Sequence, residues 1–179
     1  MERAGEVVVE VVEPSSTFSL RQRVLRPHQT VAEMNMVGDD DPRSACLAIR
    51  DDDGEIVATG SVRPESPPWV PGSPTHESHS SHAPYDPPSA AVTAAGDGYE
   101  SSWRLRGMAT DAGLRNAGLG ARILAAAIDH VAENGGGLLW CSARIGAVSF
   151  YERAGFQRLG ETYDEPHIGT HTVMWRTVP

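Results

Sequence analysis

The residues best suited to chemistry lie in Arg115-Asn116-Ala117-Gly118-Leu119-Gly120-Ala121, between a strand-like run and an amphipathic helix. Glycines two residues apart admit positive φ and let a ligand approach the backbone closely. Successive N–H groups at a helix start, with the positive end of the helix dipole behind them, bind phosphate oxygens. Arg115 and Arg122 add positive charge in an otherwise acidic chain. Two competing nucleotide motifs fit badly. A Walker loop requires Gly-Lys-Ser/Thr after its glycines, and Gly120 is followed by Ala121-Arg122. The dinucleotide fingerprint requires Gly or Ala at a third position, where Ile123 stands. Taken alone, the loop is also compatible with an ordinary glycine-containing turn that starts a helix.

The downstream sequence narrows the choice. About thirty residues later, Ala147, Tyr151, Gly155 and Phe156 follow the spacing Ala-x-x-x-Tyr-x-x-x-Gly-Phe. Joined to Arg115-x-x-Gly118-x-Gly120, this pattern resembles the GNAT superfamily of acyl-coenzyme A-dependent N-acyltransferases. The resemblance is specific from about Trp103 to Gly160 and compatible from Val7 to Val62. Many members carry Asn seven residues before the tyrosine, whereas this chain has Arg144. The resemblance implies an α/β (α+β) fold: a mixed, mostly antiparallel sheet flanked by helices, with a central β-α-β unit that binds coenzyme A. It also implies an N-acetyltransferase that uses acetyl-coenzyme A as co-substrate, without a metal, and transfers its acetyl group by direct attack of a primary amine.

In that reading the N–H groups of Asn116, Ala117, Gly118, Leu119 and Gly120 hold the pyrophosphate, flanked by Arg115 and Ala121. The edge of Met108, Ala109 and Thr110 pairs with the extended pantetheine chain, as a peptide adds to a sheet. An N–H near Met108 or Ala109 faces the thioester carbonyl. Tyr151 is the candidate general acid for the departing thiolate. A phenol of pKa ~10 against a thiol of ~8.5 makes full proton transfer modestly uphill, so hydrogen bonding can suffice. The alternative for Tyr151 is a tyrosine packed at the edge of the core. For the base, Glu100, Glu161, Asp164 and His167 come into consideration. His167 is favoured because a neutral imidazole accepts a proton near pH 7, with a backbone-bonded histidine at a strand entry as its alternative. Arg106 and Arg104 share a strand face with Met108, ~7 and ~14 Å back along the strand. They either line the cleft and select acceptors bearing a carboxylate or phosphate, or pair with acids on neighbouring strands. The acceptor, a small-molecule or peptide amine, is open. So is a second reading in which the same loop serves a non-catalytic acyl-coenzyme A-binding or sensing module.

These residues need elements to position them. Val7 to Val12 is a β-branched run suited to a strand, and Phe18, Leu20, Val24 and Leu25 fall near helical spacing up to Pro27. Thr30 to Met36 suits a second short helix. Ala45–Arg50 and Glu55–Val62 flank Asp51-Asp52-Asp53-Gly54, a hairpin signal. Leu119, Ile123, Leu124, Ile128 and Val131 form a helical stripe, stopped by Asn134-Gly135-Gly136-Gly137. Leu138 to Cys141 suits a buried strand of a parallel pair. A helix over Ile145–Ala154 capped by Gly155 follows, then closing strands at Phe156–Gly160 and Thr172–Arg176. Trp140 and Trp175 are expected in the core.

Between 64 and 98 the composition shifts. Eight of the chain's 13 prolines fall in these 35 residues. The segment is expected to be a disordered insertion in a single domain spanning 1–179. Its His76, His79 and His82 read more as a polar loop than as a metal tract. With 40% apolar and 22% charged residues, the remainder affords a sizeable core. A net charge of −9 argues against nucleic-acid partners, whose binding rests on phosphate neutralisation. No apolar run or leader-like start suggests a membrane segment or secretion signal, and two unpaired cysteines suit a reducing, cytoplasmic setting. A homodimer is compatible with all of this.

Overall fold

In a computed structural model describing residues 7–73 and 85–179, β-branched and aromatic runs form a mixed, mostly antiparallel seven-stranded sheet accompanied by four α-helices. The chain divides into two compact units, Met1–Val62 with Gly107–His130, and Arg63–Arg106 with Val131–Pro179.

In the first unit, helix α1 (Phe18–Leu25) buries Leu20 and Arg21 and ends before Pro27. The strand expected at Val7–Val12 contracts to β1 (Glu10–Val11), which pairs antiparallel with β2 (Ala45–Arg50). The expected helix over Thr30–Met36 is one 3-10 turn, Val31–Met34, closed by a Thr30–Glu33 capping box. β2 and β3 (Ile56–Pro64) form the hairpin read from Asp-Gly. Asp51 Oδ1 accepts from the Asp53 and Glu55 amides at 3.1 and 2.9 Å, so this acidic cluster builds its own turn. The end of β4 (Ser102–Thr110) runs beside β3, and the Asp111 amide donates to Val57 O at 2.8 Å. Helix α3 (Leu119–Glu133) then buries Leu119, Ile123, Leu124 and Ala127 along one stripe.

In the second unit, the Glu65 amide donates to Ser102 O at 3.1 Å, and the start of β4 pairs parallel with β5 (Gly137–Arg144). β7 (Gly169–Val178) lies antiparallel between β5 and β6 (Gln157–Glu165). Leu138 and Trp140 point to one face with Leu159, Tyr163, Val173 and Trp175. Helix α2 (Ser89–Ala95) covers that face with Ala91 and Ala95, both at 0% exposure. This corrects the expectation of a disordered insertion at 64–98 in its described parts. Alanine is the strongest helix former and here leaves one small apolar stripe. Trp69 and Tyr85 from the same segment pack against the cluster too. His76, His79 and His82 lie outside the described residues. Helix α4 (Val148–Arg153) follows a short turn and ends at Gly155, whose φ of +82° allows the Gly155 and Phe156 amides to close on Glu152 and Tyr151 carbonyls.

Candidate active site

The phosphate-type loop forms because each of its bends has a residue suited to it. Asp111 caps the turn Ala112–Leu114 by accepting from the Gly113 amide at 3.0 Å, and pairs with Arg23 at 2.8 Å. The Gly113 bond, and then Arg23, hold its carboxyl below the usual aspartate range. Asn116 and Gly118 adopt left-handed φ of +66° and +81°. Gly120, expected to share that role, instead sits in the first turn of α3. The first helical bond runs from the Arg122 amide to Gly118 O at 3.1 Å. Leu119, Gly120 and Ala121 therefore present the amides that a helix start leaves without intrahelical partners. A Cβ built on Gly118 meets nothing within 4 Å, and residues 112–118 are exposed. Open amides, a helix dipole and nearby Arg115 and Arg122 suit a pyrophosphate.

Met108, Ala109 and Thr110 close β4 just before this loop, in the same unit. Met108 leans over Gly60, where a Cβ would come within 2.5 Å of its sulfur. Gly107 has φ of +63° inside the strand, and a Cβ there would stand 3.2 Å from Arg21 Nε. A left-handed residue breaks a strand's two-residue alternation, so the single face expected for Arg104, Arg106 and Met108 is interrupted before Met108.

Tyr151 lies in the second unit on α4, 6% exposed, with edge contacts to Phe150 and Phe156 at 5.0 and 5.5 Å. Burial raises its phenol well above the ordinary 10, and neighbouring Cys141 adds to the rise. Burial likewise pushes the Cys141 thiol up to about 12, against the opposing charge of Arg104. Tyr151 is thus a protonated hydrogen-bond donor, and full proton release is harder than for a free phenol. His167 occupies the exposed β6–β7 turn with φ of +66°.

Sequence reasoning missed the buried polar groups of this unit. Glu65 takes Arg63 at 2.7 Å and Arg104 at 2.6 Å, with side-chain exposures of 4% for Arg63, 11% for Arg104 and 9% for Glu65. Burial alone would raise the Glu65 carboxyl. The charges and hydrogen bonds of Arg104 and Arg63 outweigh that and hold it low. Arg104 also lies 4.6 Å over the Trp140 ring, and Trp140 Nε1 donates to Glu65 O at 2.9 Å. Of the two fates open to Arg104, pairing with an acid beside a neighbouring strand is the one observed. On β7, His171 is buried and stacks on Tyr163 at 5.9 Å. Its Nδ1 lies 2.7 Å from Gly169 O. A carbonyl only accepts, so the Nδ1 proton is fixed there. The detectable signals were Ser142 and Tyr163 on strands, and two aromatic residues in a segment set aside for its prolines.

A family model described as acetyltransferase (GNAT) domain matches residues 85–176. The uncharacterized N-acetyltransferase YitI of Bacillus subtilis strain 168 is 31% identical over 170 residues, covering 95% of each chain. Among solved structures, Escherichia coli ElaA superposes with a TM-score of 0.65 at 13% identity, over 95% of this chain and 99% of that one. An aminoglycoside 6'-N-acetyltransferase complexed with coenzyme A superposes at 0.63 with 13% identity, over 96% and 97%. At such identities these two structures show the fold alone.

Proposed function

The chain belongs to the GNAT acetyltransferase family, and from that premise we propose that it moves an acetyl group from acetyl-coenzyme A to a primary amine of a small molecule or peptide by direct attack. Family membership favours the enzyme over a sensing module. The observation that carries the proposal is the set of open amides of Leu119, Gly120 and Ala121 at the start of α3, with the left-handed Asn116 and Gly118 shaping the loop before them. In this reading those amides and Arg115 hold the pyrophosphate. The edge of Met108, Ala109 and Thr110 pairs with the pantetheine amides. An N–H of Met108 or Ala109 donates to the thioester carbonyl oxygen, where negative charge develops. Bound acetyl-coenzyme A supplies the activated thioester. Tyr151 donates a hydrogen bond to the departing sulfur, and its raised pKa keeps the donor proton in place. His167 remains the candidate base for the amine proton, with its exposed turn open to water. The same reading takes residues 1–179 as one N-acetyltransferase domain, supported by a relative matched over 95% of this chain.

The test is release of free thiol from acetyl-coenzyme A across a panel of primary amines. Amine-dependent thiol release with formation of the N-acetyl product is the expected result. Thiol release that no amine accelerates, in protein that binds acetyl-coenzyme A, would return the chain to the binding-module reading.

A further inference from the structure

The parallel ladder of β4 and β5 joins Ser102–Arg104 to Leu138–Trp140 and stops there, although both strands continue. Cys141 and Ser142 are the next two residues of β5 and point to opposite faces. Tyr151 stands beside Cys141 on one face. On the other face, Ser142 Oγ interacts with the Tyr163 hydroxyl, and the Tyr85 hydroxyl lies close enough to raise the Tyr163 phenol further. Tyr163 is 4% exposed. The Trp69 ring leans on Tyr85, with centroids 6.4 Å apart at 59°. Among the described residues, Tyr85 Oη and Trp69 Nε1 are buried with no hydrogen-bond partner, and Ser142 Oγ has none of good geometry.

Buried hydroxyls and indole N–H groups are ordinarily paired, because leaving one unmade costs its full desolvation. Several of them at one place, against aromatic walls and beyond the last rung of the parallel ladder, describe a binding site more than a packing accident. We propose that Tyr85, Ser142 and Tyr163 receive the amino group of the acceptor, while the Trp69 N–H donates to an uncharged oxygen carried beside it. The acceptor class is a small primary amine bearing a hydroxyl or amide oxygen, an amino sugar or an amino-acid amide. Arg104 is committed to Glu65 and to the Trp140 face, so no anionic group on the acceptor is called for. The hydroxyl oxygens can accept from the N–H bonds of an uncharged amine, which leaves its lone pair free to attack. This inference rests on the acetyltransfer reading above and deepens its acceptor side.

The test compares matched amines with acetyl-coenzyme A: glucosamine against cyclohexylamine, and glycinamide against propylamine. The oxygen-bearing member of at least one pair is expected to show about fivefold or greater kcat/KM. Trp69→Phe and Tyr85→Phe should remove that advantage while acetyl-coenzyme A binding by calorimetry stays unchanged. The pair that responds tells sugar hydroxyl from amide carbonyl. A second measurement needs no substrate: if the Tyr85 hydroxyl awaits a ligand, Tyr85→Phe raises the unliganded melting temperature by roughly 2–4 °C. A lowered melting temperature would mean that the hydroxyl is structural and overturns the proposal. Equal rates within both pairs, or an advantage intact in both variants, overturn it too. No turnover of any amine, with acetyl-coenzyme A still bound, overturns this class together with the acetyltransfer reading, whereas turnover of the oxygen-free members alone overturns the class and spares that reading. Failure to bind acetyl-coenzyme A at all defeats the reading itself.

Discussion

Replacing Glu65 by Gln strips the counter-charge from two buried guanidinium groups while keeping the side chain's size. Arg63 and Arg104 both bond this carboxylate, at 2.7 and 2.6 Å, and the three side chains are at most 11% exposed. Removing one partner of such a network leaves uncompensated buried charge, which costs roughly 3–5 kcal/mol. The Trp140 bond is made to the Glu65 backbone carbonyl, so it survives the substitution and the loss reports on the charges. For a chain of this size each kcal/mol moves the melting temperature by about 2–4 °C, giving an expected fall of roughly 6–20 °C near pH 7. The pH dependence is fixed in sign. The Glu65 carboxyl is held below its ordinary 4.5, so its contribution is fully present above that value and is lost as pH falls through the folded-state pKa. Wild type and Glu65→Gln should therefore converge on acidification below about 4.5. Urea melts of both proteins from pH 7 to pH 3 measure this directly. A loss below about 1 kcal/mol at pH 7, or a gap that stays constant down to pH 3, would refute the reasoning.

Three further outcomes follow from the same geometry. Gly118→Val should cost about 1–2 kcal/mol through its left-handed φ, and should abolish the rise in melting temperature that acetyl-coenzyme A gives the parent; an unchanged rise would count against the loop as the pyrophosphate site. Tyr151→Phe should lower kcat by roughly 100-fold with the acetyl-coenzyme A Kd unaltered, read by pre-steady-state thiol release and calorimetry; equal kcat would leave Tyr151 a packing residue. Ala91→Asp, at a position with 0% exposure, should destabilise by at least about 3 kcal/mol in urea melts, and a neutral result would mean that α2 does not belong to the core.

What could be read from the chain depended on the range of the interaction. The loop from Arg115 to Gly120 declares itself because its determinants are local: residues tolerant of positive φ and the start of an apolar helical stripe. Even so, the second left-handed position fell on Asn116, an amide side chain tolerant of that region, and not on Gly120. The Asp51–Gly54 hairpin and the Gly155 cap were legible for the same reason. The Glu65 network was not, since Glu65 meets Arg104 and Trp140 from 39 and 75 residues away, and no local pattern couples them. Proline content hid α2. Ala91 and Ala95 sit four apart on one helix face, but alanines add little to a count of large aliphatic residues. Tyr85 and Trp69 were set aside with them. Gly107 carried no signal either, as the Arg21 and Met36 side chains that would crowd a Cβ there come from far earlier in the chain.

β7 lies between β5 and β6, yet it is synthesised after both. While the ribosome is still making residues 169–178, β6 lacks the neighbour it will pair with, and β5 carries a bare antiparallel edge rich in apolar side chains. At ordinary elongation rates that exposure lasts about 0.5–2 s, long enough for a nascent chain to meet a chaperone or another nascent chain. Slowing translation late in the message should therefore lower soluble yield more than slowing it early, with no change in the stability of the protein that survives.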